Sequence, residues 1–279
     1  MTDPGASPEH WGGSAEAWAR AGEEPEEGAG AEAAAWMLDA AELGSGDRVL
    51  EIACGAGRVG LQAADLVGSN GRVLCTDFAQ EMVTSAMRLA ERMNKTNVET
   101  RVLDAVNMDL GEERFDAVIC RFGYMLMPDP GRALRNSREV LDPDGRVVLA
   151  VWGRGDENPW LMTIFDAVMG HLGAPPPAPG TPGPFALGDP ETLRRLLEES
   201  SFADVDVMPL QAKQSYDSVE AWWRQIFEVS GPLAALLGSL SEKDQEAIRD
   251  RAFDRAGEFS RAGGRLEFPA TVVGARGGV

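Results

Sequence analysis

Cysteine and histidine are scarce in this chain of 279 residues, which has three of the first and two of the second. The cysteines, at positions 54, 75 and 120, are odd in number and widely spaced. This pattern predicts reduced thiols, and with them a cytoplasmic location. The same spacing does not suit an iron–sulfur cluster, and no metal site is expected.

The chain also has few basic residues and few long apolar runs. The chain has 26 basic residues against 45 acidic ones, a formal net charge of −19. Such a field repels polyanions, so nucleic acids and anionic membrane surfaces are not expected as partners. No run of about 18 apolar residues predicts a membrane span, and the first 30 residues do not resemble a secretory signal. The oligomeric state stays open, with a homodimer among the options.

The chain does contain an alternation of strand-like and helix-like patterns between residues 46 and 152. Short apolar runs that end in turn residues alternate with amphipathic segments near 57–67, 79–94 and 130–141. This order predicts an α/β fold, a doubly wound and mostly parallel sheet with helices on both faces. After residue 152, a four-residue strand at 205–208 and a final strand at 265–275 are expected.

The most informative stretch, residues 48–61, reads as a strand, a glycine-rich turn and the start of a helix. Glycines in such a turn let backbone N–H groups approach a nucleotide cofactor. Two cofactors compete for it. Gly55 to Gly60 match the dinucleotide pattern G-x-G-x-x-G, and Asp77 lies 20 residues beyond Gly57. Glu51, however, stands where a pyrophosphate would lie, and its carboxylate would repel phosphate but attract a cation.

Residues 49–57, V-L-E-I-A-C-G-A-G, resemble motif I of the class I S-adenosylmethionine-dependent methyltransferases, except that Ala53 replaces the first glycine. Further segments follow in the family's order: a second strand ending at Asp77, the pair Asp104-Ala105, a fourth strand at 115–122 and a fifth at 143–151. The segment 120–129, C-R-F-G-Y-M-L-M-P-D, is most similar to the menaquinone/ubiquinone-type branch. The resemblance implies a Rossmann-like sheet with an antiparallel last strand and helical lid insertions.

The resemblance also implies S-adenosyl-L-methionine as the cofactor, with its positive sulfonium and ammonium groups near Glu51 and its ribose on Asp77. The residues expected to bind it are Trp11, Glu51, Ala53, Cys54, Gly55, Gly57, Asp77, Phe78, Met82, Asp104, Ala105, Val106 and Arg121. For Arg121 a salt bridge to the sheet edge is the alternative. The acidic run at 23–27 is interpreted as a solvated tail.

The expected organisation has six parts. They are an N-terminal segment with cap helices (1–43), the cofactor-binding core (44–152), a first lid insertion (153–188), a core helix and strand (189–211), a second helical lid insertion (212–263) and a final core strand (264–279). The insertions would cover the carboxyl ends of the strands, where ligands bind in such sheets.

Aromatic residues in the lids predict a covered cavity for a mid-sized apolar acceptor. The residues expected to bind it are Tyr124, Trp152, Trp160, Trp222 and Trp223. The alternative is that Trp222 and Trp223 anchor the second insertion on the sheet, and that Tyr124 packs beneath the lid.

Three residues are candidates for a general base or another catalytic role: His10, Tyr124 and His171. The alternatives are that His10 lies on a surface tail and that His171 caps the helix predicted at 159–172.

The sequence therefore predicts methyl transfer to a small organic molecule by in-line displacement, in which positioning supplies most of the rate. Cys120-Arg121-Phe122-Gly123 occupies the place of the Asn/Asp-Pro-Pro-aromatic turn of amino-methylating enzymes, and no Pro-Cys nucleophile is present for cytosine C5 chemistry. The acceptor atom stays open among oxygen, carbon and nitrogen. The alternatives are a NAD(P)-dependent oxidoreductase and a protein that binds S-adenosylmethionine without transferring methyl.

Overall fold

Seven strands form one sheet in the computed structural model, which describes residues 7–23, 26–175, 177–178 and 180–279. The strands are β1 (Arg48–Ile52), β2 (Arg72–Asp77), β3 (Val98–Val102), β4 (Phe115–Arg121), β5 (Leu141–Trp152), β6 (Ala203–Tyr216) and β7 (Leu266–Gly278). Side by side they lie in the order β3-β2-β1-β4-β5-β7-β6.

Strands β1 to β5 are all parallel to one another, whereas β7 is antiparallel to both of its neighbours, β5 and β6. Because β7 is antiparallel to both β5 and β6, β6 runs in the same direction as β5. Six strands therefore end at the same edge of the sheet, and β7 begins there. The predicted fold, a mostly parallel Rossmann-like sheet with an antiparallel last strand, is confirmed.

Helices cover both faces of the sheet. The helices of the chain are α1 (Pro8–Gly12), α2 (Ala15–Glu23), α3 (Ala29–Ala40), α4 (Arg58–Val67), α5 (Gln80–Arg92), α6 (Pro130–Glu139), α7 (Pro159–Leu172), α8 (Pro190–Glu199), α9 (Val219–Val229), α10 (Gly231–Gly238) and α11 (Glu242–Ala256). Helix α3 packs beside α4, and α4 beside α5, while α6 and α8 pack together and against β5, β6 and β7. Apolar side chains of each helix recur every three to four residues and face the sheet, as in α4 at Val59, Ala63 and Val67.

The remaining helices form a layer over the edge where the strands end. Helix α7 packs on α11, and α9 contacts both α10 and α11. Helices α1 and α2 join this layer to the sheet, because they contact α5 on one side and α9 and α10 on the other. Among the described residues no helix combines the length and the apolar content that crossing a bilayer requires.

The expected start of the second insertion at residue 212 is wrong, because β6 continues to Tyr216. The expected strand at 205–208 is accordingly too short. Pro209 does not end β6, because the strand lies at the edge of the sheet, where a residue without an N–H is tolerated. Pro209 pairs with Val273 of β7 and the ladder goes on for seven more residues.

A buried asparagine connects the loop after β5 to β7. Asn158 is fully buried; its Nδ2 donates to the carbonyl oxygens of Arg154 and Thr271, both at 3.0 Å. Its Oδ1 accepts from the backbone N–H of Thr271 and from Nε1 of Trp160, both at 3.1 Å. This one side chain thus fixes the start of α7 and the orientation of Trp160.

Replacing Asn158 by Ala should lower the free energy of unfolding by about 3 kcal/mol, because buried groups on Thr271 and Trp160 lose their partner. The measurement is urea unfolding of the purified protein. Asn70→Ala, at an exposed asparagine before β2, is the matched control and should change stability by about 0.5 kcal/mol or less. Equal unfolding midpoints for wild type and Asn158→Ala would contradict this account of the loop.

Candidate functional site

A cavity of about 460 Å³ opens at the edge where the strands end. This volume is in the range of small-molecule sites. The end that lies over β1 to β4 contains most of the charged lining residues: Glu26, Glu51, Arg58, Asp77, Asp104 and Arg121. Glu27 also lines the cavity, next to Gly28, which lies against Gln214. The other end, over β4, β5 and β6, is lined by uncharged and mainly aromatic or apolar residues: Phe122, Met125, Leu126, Met127, Trp152, Trp160, Leu161, Phe165, Pro184, Gln214, Tyr216, Gln225, Ile226 and Val229. We call these the charged end and the aromatic end.

The turn after β1 forms the floor of the charged end. Ala53 and Gly55 both have left-handed backbone conformations, with φ of 53° and 54°. This conformation explains why the resembled motif has glycine at the position of Ala53, since a side chain there costs about 1–2 kcal/mol. A Cβ on Gly123 would lie 2.6 Å from the Cβ of Ala53, so the glycine after β4 makes room for the alanine.

Glu51, at the end of β1, places its carboxylate beneath this turn. Its side chain is buried, and Oε2 accepts a hydrogen bond of 2.9 Å from the backbone N–H of Gly60, the third residue of α4. Any Cβ on Gly60 would collide with that carboxylate and with Sγ of Cys75, so only glycine fits. Burial raises the pKa of Glu51 to about 7, although hydrogen bonds from Cys75 and Gly60 and the charge of Arg121 act in the opposite direction.

Asp77, the last residue of β2, holds the neighbouring wall. Its Oδ2 accepts from the N–H of Gly55 and its Oδ1 from the N–H of Ala79, both at 3.0 Å. Burial raises its pKa above the usual value, against the effect of these hydrogen bonds. Each oxygen still has a lone pair for a ligand. Phe78 and Met82 line the cavity beside it, packed with Trp11 and Trp18 of the N-terminal helices.

The turn after β3 lines the next part of the charged end. The carboxylate of Asp104 caps a 3₁₀ turn by accepting from the N–H of Val106 at 2.9 Å. Asn136 of α6 donates to the carbonyl oxygens of Ala105 and Val106 and thereby fixes this turn. The backbone at 104–106 therefore presents a rigid surface to the cavity.

Arg121, at the end of β4, closes the charged end against the N-terminal segment. Its guanidinium donates to Oε2 of Glu26 and to the carbonyl oxygen of Gly30, both at 2.7 Å. Glu26 also lies 3.7 Å from Nε of Arg58. The interpretation of 23–27 as a solvated tail is wrong for Glu26, because this ion pair draws it to the cavity wall; residues 24 and 25 lie outside the described residues.

The aromatic end is built around two stacked rings. Phe122 and Trp152 have ring centroids 4.1 Å apart and an interplanar angle of 8°, and Trp160 meets Trp152 edge-on at 4.8 Å. Phe122 reaches this position with a left-handed backbone (φ 60°). Such strain in a non-glycine residue persists where the surroundings enforce it, as they often do at ligand sites.

Most of the residues predicted to bind the cofactor line the cavity: Trp11, Glu51, Ala53, Cys54, Gly55, Asp77, Phe78, Met82, Asp104, Ala105, Val106 and Arg121. Gly57 does not. Its left-handed backbone (φ 85°) forms the turn, and a Cβ there would lie 2.9 Å from Ala86 Cβ, so it serves the packing of α4 on α5. Trp152 and Trp160, predicted to bind the acceptor, line the aromatic end.

The other predicted acceptor residues lie outside the lining. Tyr124 is buried under the sheet edge, with its hydroxyl 2.6 Å from Oγ of Ser137. Trp222 is fully buried against Phe268 and donates to the carbonyl oxygen of Trp160 at 2.7 Å. Trp223 packs on Phe227. For Trp222 this placement corresponds to the anchoring alternative, whereas the ring contacts of Trp223, with Phe227 and Phe253, lie within the insertion.

Neither histidine lines the cavity. Nδ1 of His10 lies 2.7 Å from Oγ of Ser7, within the first turn of α1. Nε2 of His171 lies 2.8 Å from Oδ1 of Asp244, and so joins α7 to α11. Both rings therefore serve contacts between or within lid helices.

Several lining residues were not predicted: Trp18, Glu26, Arg58, Phe122, Phe165, Tyr216 and Gln225. Phe122 is the last residue of the strand that was predicted at 115–122, so the rule that ligands bind at the carboxyl ends of parallel strands could have identified it. Tyr216 could not be identified in the same way, because the predicted strand ended at residue 208.

The match to a known family falls on the first five strands of the chain and the helices between them. Residues 43–164 match a family model described as "Methyltransferase domain". The aklanonic acid methyltransferase DauC of Streptomyces sp. (strain C5) is 33% identical over 111 residues, 40% of this chain and 50% of that protein. The ubiquinone/menaquinone biosynthesis C-methyltransferase UbiE of Cellvibrio japonicus is 33% identical over 132 residues, 47% of this chain and 53% of that protein. The chain thus spans about half the length of these curated relatives.

A solved structure extends the likeness beyond the core. The YcgJ protein of Bacillus subtilis superposes with a TM-score of 0.59 over 89% of this chain and 98% of its own, at 18% identity. At that identity the likeness shows the fold alone. The strand order, the buried acid near the end of β1, the acid that ends β2 and the matched family model agree. Residues 43–164 are therefore similar to the methyltransferase domains of class I S-adenosylmethionine-dependent enzymes, with the ubiquinone/menaquinone-type enzymes among the relatives, and the cofactor that such a domain implies is S-adenosyl-L-methionine.

Proposed function

We propose that the protein transfers the methyl group of S-adenosylmethionine to a small, largely apolar organic molecule. One observation carries the proposal: a single cavity joins the charged end, over β1 and β2, to the aromatic end, over β5 and β6. A cofactor with a charged amino-acid part and a ribose suits the first, and an apolar acceptor suits the second. Cofactor and acceptor would then meet near Phe122 and Gly123, between the two ends.

The residues of the charged end fit this cofactor. Glu51 places a carboxylate near the positive groups, and Asp77 offers one free lone pair per oxygen to the two ribose hydroxyls. The N–H of Gly60, which a phosphate at the amino end of α4 would need, is already bonded to Glu51. This occupied donor favours a cofactor without phosphate over a dinucleotide.

The cofactor carries a carboxylate of its own, and Arg121 and Arg58 are the cations on the cavity wall. Both lie beside Glu26, the carboxylate of the N-terminal segment. Arg121 is the nearer to Glu51, whose pKa its charge lowers. We assign Arg121 to the amino-acid part of the cofactor, where its charge would balance the carboxylate.

The composition of the aromatic end supports a neutral acceptor. The residues assigned to it are uncharged, and the charged lining residue of the described chain beside it is the acidic Glu27, next to Gly28 and Gln214. An anionic acceptor would lose its hydration there without gaining an ion pair, at a cost of several kcal/mol. The relatives named for C-methylation in ubiquinone and menaquinone biosynthesis support a ring-containing acceptor of comparable character.

Bound S-adenosylmethionine supplies a methyl group made electrophilic by the sulfonium. The protein's own contribution is to hold the acceptor in line with that methyl and to exclude water, which can lower the barrier by about 7–11 kcal/mol. His10, Tyr124 and His171 stay predictions as catalytic residues, and the structure places all three outside the cavity lining. The acceptor atom stays open among oxygen, carbon and nitrogen.

The proposal is tested by transfer of a deuterated methyl group from labelled S-adenosylmethionine to a panel of acceptors, read by mass spectrometry. The panel pairs neutral phenols, hydroquinones and aromatic amines with sulfonated analogues of the same rings. Label should appear on at least one neutral member and fall at least tenfold on its sulfonated partner, because the aromatic end offers no counter-charge. Transfer that favours the sulfonated members, or cofactor cleavage without a methylated product, would contradict the proposal.

Asp77→Ala should weaken binding of S-adenosylhomocysteine by about 1.5–3 kcal/mol, a factor of about 10 to 150, because hydrogen bonds to a charged group are lost. Isothermal titration measures the affinity. Asp189→Ala is the matched control: this exposed aspartate caps α8 outside the cavity, and its loss should leave the affinity unchanged. Wild-type affinity in Asp77→Ala would remove Asp77 from the cofactor site.

A further inference from the structure

We propose that the hydroxyl of Tyr216 donates a hydrogen bond to an oxygen atom of the acceptor and thereby sets its orientation in the aromatic end. This inference rests on the proposed function, since it assigns a role in holding the acceptor. It also narrows the acceptor to molecules that combine a flat apolar ring with a carbonyl or similar oxygen.

The position of Tyr216 follows from the topology of the sheet. It is the last residue of β6, paired with Leu266 at the start of β7. Because β6 runs in the same direction as β5, Tyr216 lies at the edge where Arg121 and Trp152 end their strands. It therefore belongs to the wall of the aromatic end. In the strand order, β6 is four strands away from β1 and five from β2, the strand that ends at Asp77.

The ring of Tyr216 is held in place by packing. It is 7% exposed and meets Phe268 edge-on at 6.1 Å. Phe268 is itself fully buried between Trp222, at 5.4 Å, and Phe259, at 4.5 Å. A ring fixed in this way presents its hydroxyl at a defined position, so little entropy is lost when a ligand binds it.

The hydroxyl itself lacks a protein partner. Within the described chain Tyr216 makes no hydrogen bond, whereas Tyr124, the other tyrosine, donates to Ser137, whose own hydroxyl donates to the carbonyl oxygen of Ala133. Among the described residues, Nε of Arg72 is the one fully buried side-chain polar atom that has no hydrogen-bond partner. The hydroxyl oxygen of Tyr216 also has no partner but is not in that class, so it is not fully buried, and we infer that it reaches the cavity.

An unpaired hydroxyl in an apolar wall is costly unless an occupant of the cavity pairs with it. Burial raises the pKa of Tyr216 above its usual value, and no charged residue lines the aromatic end to oppose this shift. The group therefore keeps its proton at neutral pH and acts as a donor rather than as a base. Its partner on the acceptor is consequently an oxygen that accepts a hydrogen bond.

The stacked rings beside it indicate the shape of the acceptor. Phe122 and Trp152 lie nearly parallel, and the plane of Trp160 is inclined by 61° to that of Trp152, so the wall has flat faces in two orientations. A planar ring packs on such faces, and one polar group opposite Tyr216 would then decide which way round the ring lies. In an apolar pocket, a single fixed donor determines the orientation of the ligand more than its affinity.

The test uses two probes of nearly equal size, 2-acetylnaphthalene and 2-isopropylnaphthalene, which differ in having a carbonyl oxygen or a methyl group. Both are titrated into the protein saturated with S-adenosylhomocysteine, with tryptophan fluorescence as the signal. The ratio of the affinity for the ketone to the affinity for the hydrocarbon should be about 2- to 12-fold higher in wild type than in Tyr216→Phe, the range for one neutral hydrogen bond. The affinity for the hydrocarbon should be the same in the two proteins.

Tyr124→Phe is the matched control and should keep the wild-type ratio, because its hydroxyl is bonded inside the core. The chain has two tyrosines, so protein labelled with 3-fluorotyrosine gives two fluorine resonances that the two variants assign. The ketone should shift the Tyr216 resonance further than the hydrocarbon does, and leave that of Tyr124 in place.

An unchanged ratio of the two affinities in Tyr216→Phe would overturn the role of Tyr216 and leave the proposed function standing. If neither probe bound wild type, the apolar acceptor itself would be refuted, and this inference with it. If the Tyr216→Phe protein no longer bound S-adenosylhomocysteine, Tyr216 would have a structural role rather than a role in acceptor binding, and the inference would fail.

Discussion

The hydrogen bond from the N–H of Gly60 to the buried carboxylate of Glu51 is the contact on which the rest of the site depends. It joins the end of β1 to the first turn of α4, and it is short because Gly60 has no side chain. Between these two points the chain must turn within a few residues, which forces Ala53 and Gly55 into left-handed conformations. The floor of the cavity is the outcome of that constraint.

The same contact decides which nucleotide the turn suits. In a dinucleotide site the free N–H groups at the helix start bind phosphate. Here one of them is already satisfied by a carboxylate, and a second acid, Asp77, stands at the end of the next strand with its backbone partners in place. Negative groups therefore surround the space that a pyrophosphate would need. A cation with a ribose fits it without further change.

Local patterns along the chain were enough to predict the core, because strand, turn and helix follow each other between residues 46 and 152 and each candidate acidic residue there lies at or just after the end of a strand. Glu51, Asp77 and Asp104 were found in this way. Contacts between distant segments carry no such local pattern. The Glu26–Arg121 ion pair joins residues 95 positions apart, and Tyr216 reaches the cavity through an edge strand whose length depends on pairing with β7. For the same reason the histidines looked like candidate bases, although neighbouring helices hold both of them outside the cavity lining.

We propose that Glu51 meets a positive charge when the cofactor binds. Burial raises its pKa to about 7 even though the charge of Arg121 lowers it, so a fraction of the molecules carries a proton there at pH 7. A cation lowers that pKa, so binding must release the proton and affinity must rise as the pH increases through 7. Isothermal titration of S-adenosylhomocysteine, whose ammonium is positive at this pH, in buffers of different ionisation enthalpy counts the protons released. We expect wild type to release a fraction of a proton per cofactor at pH 7 and Glu51→Gln to release close to none; equal release by the two proteins, or none by wild type, would contradict this role of Glu51.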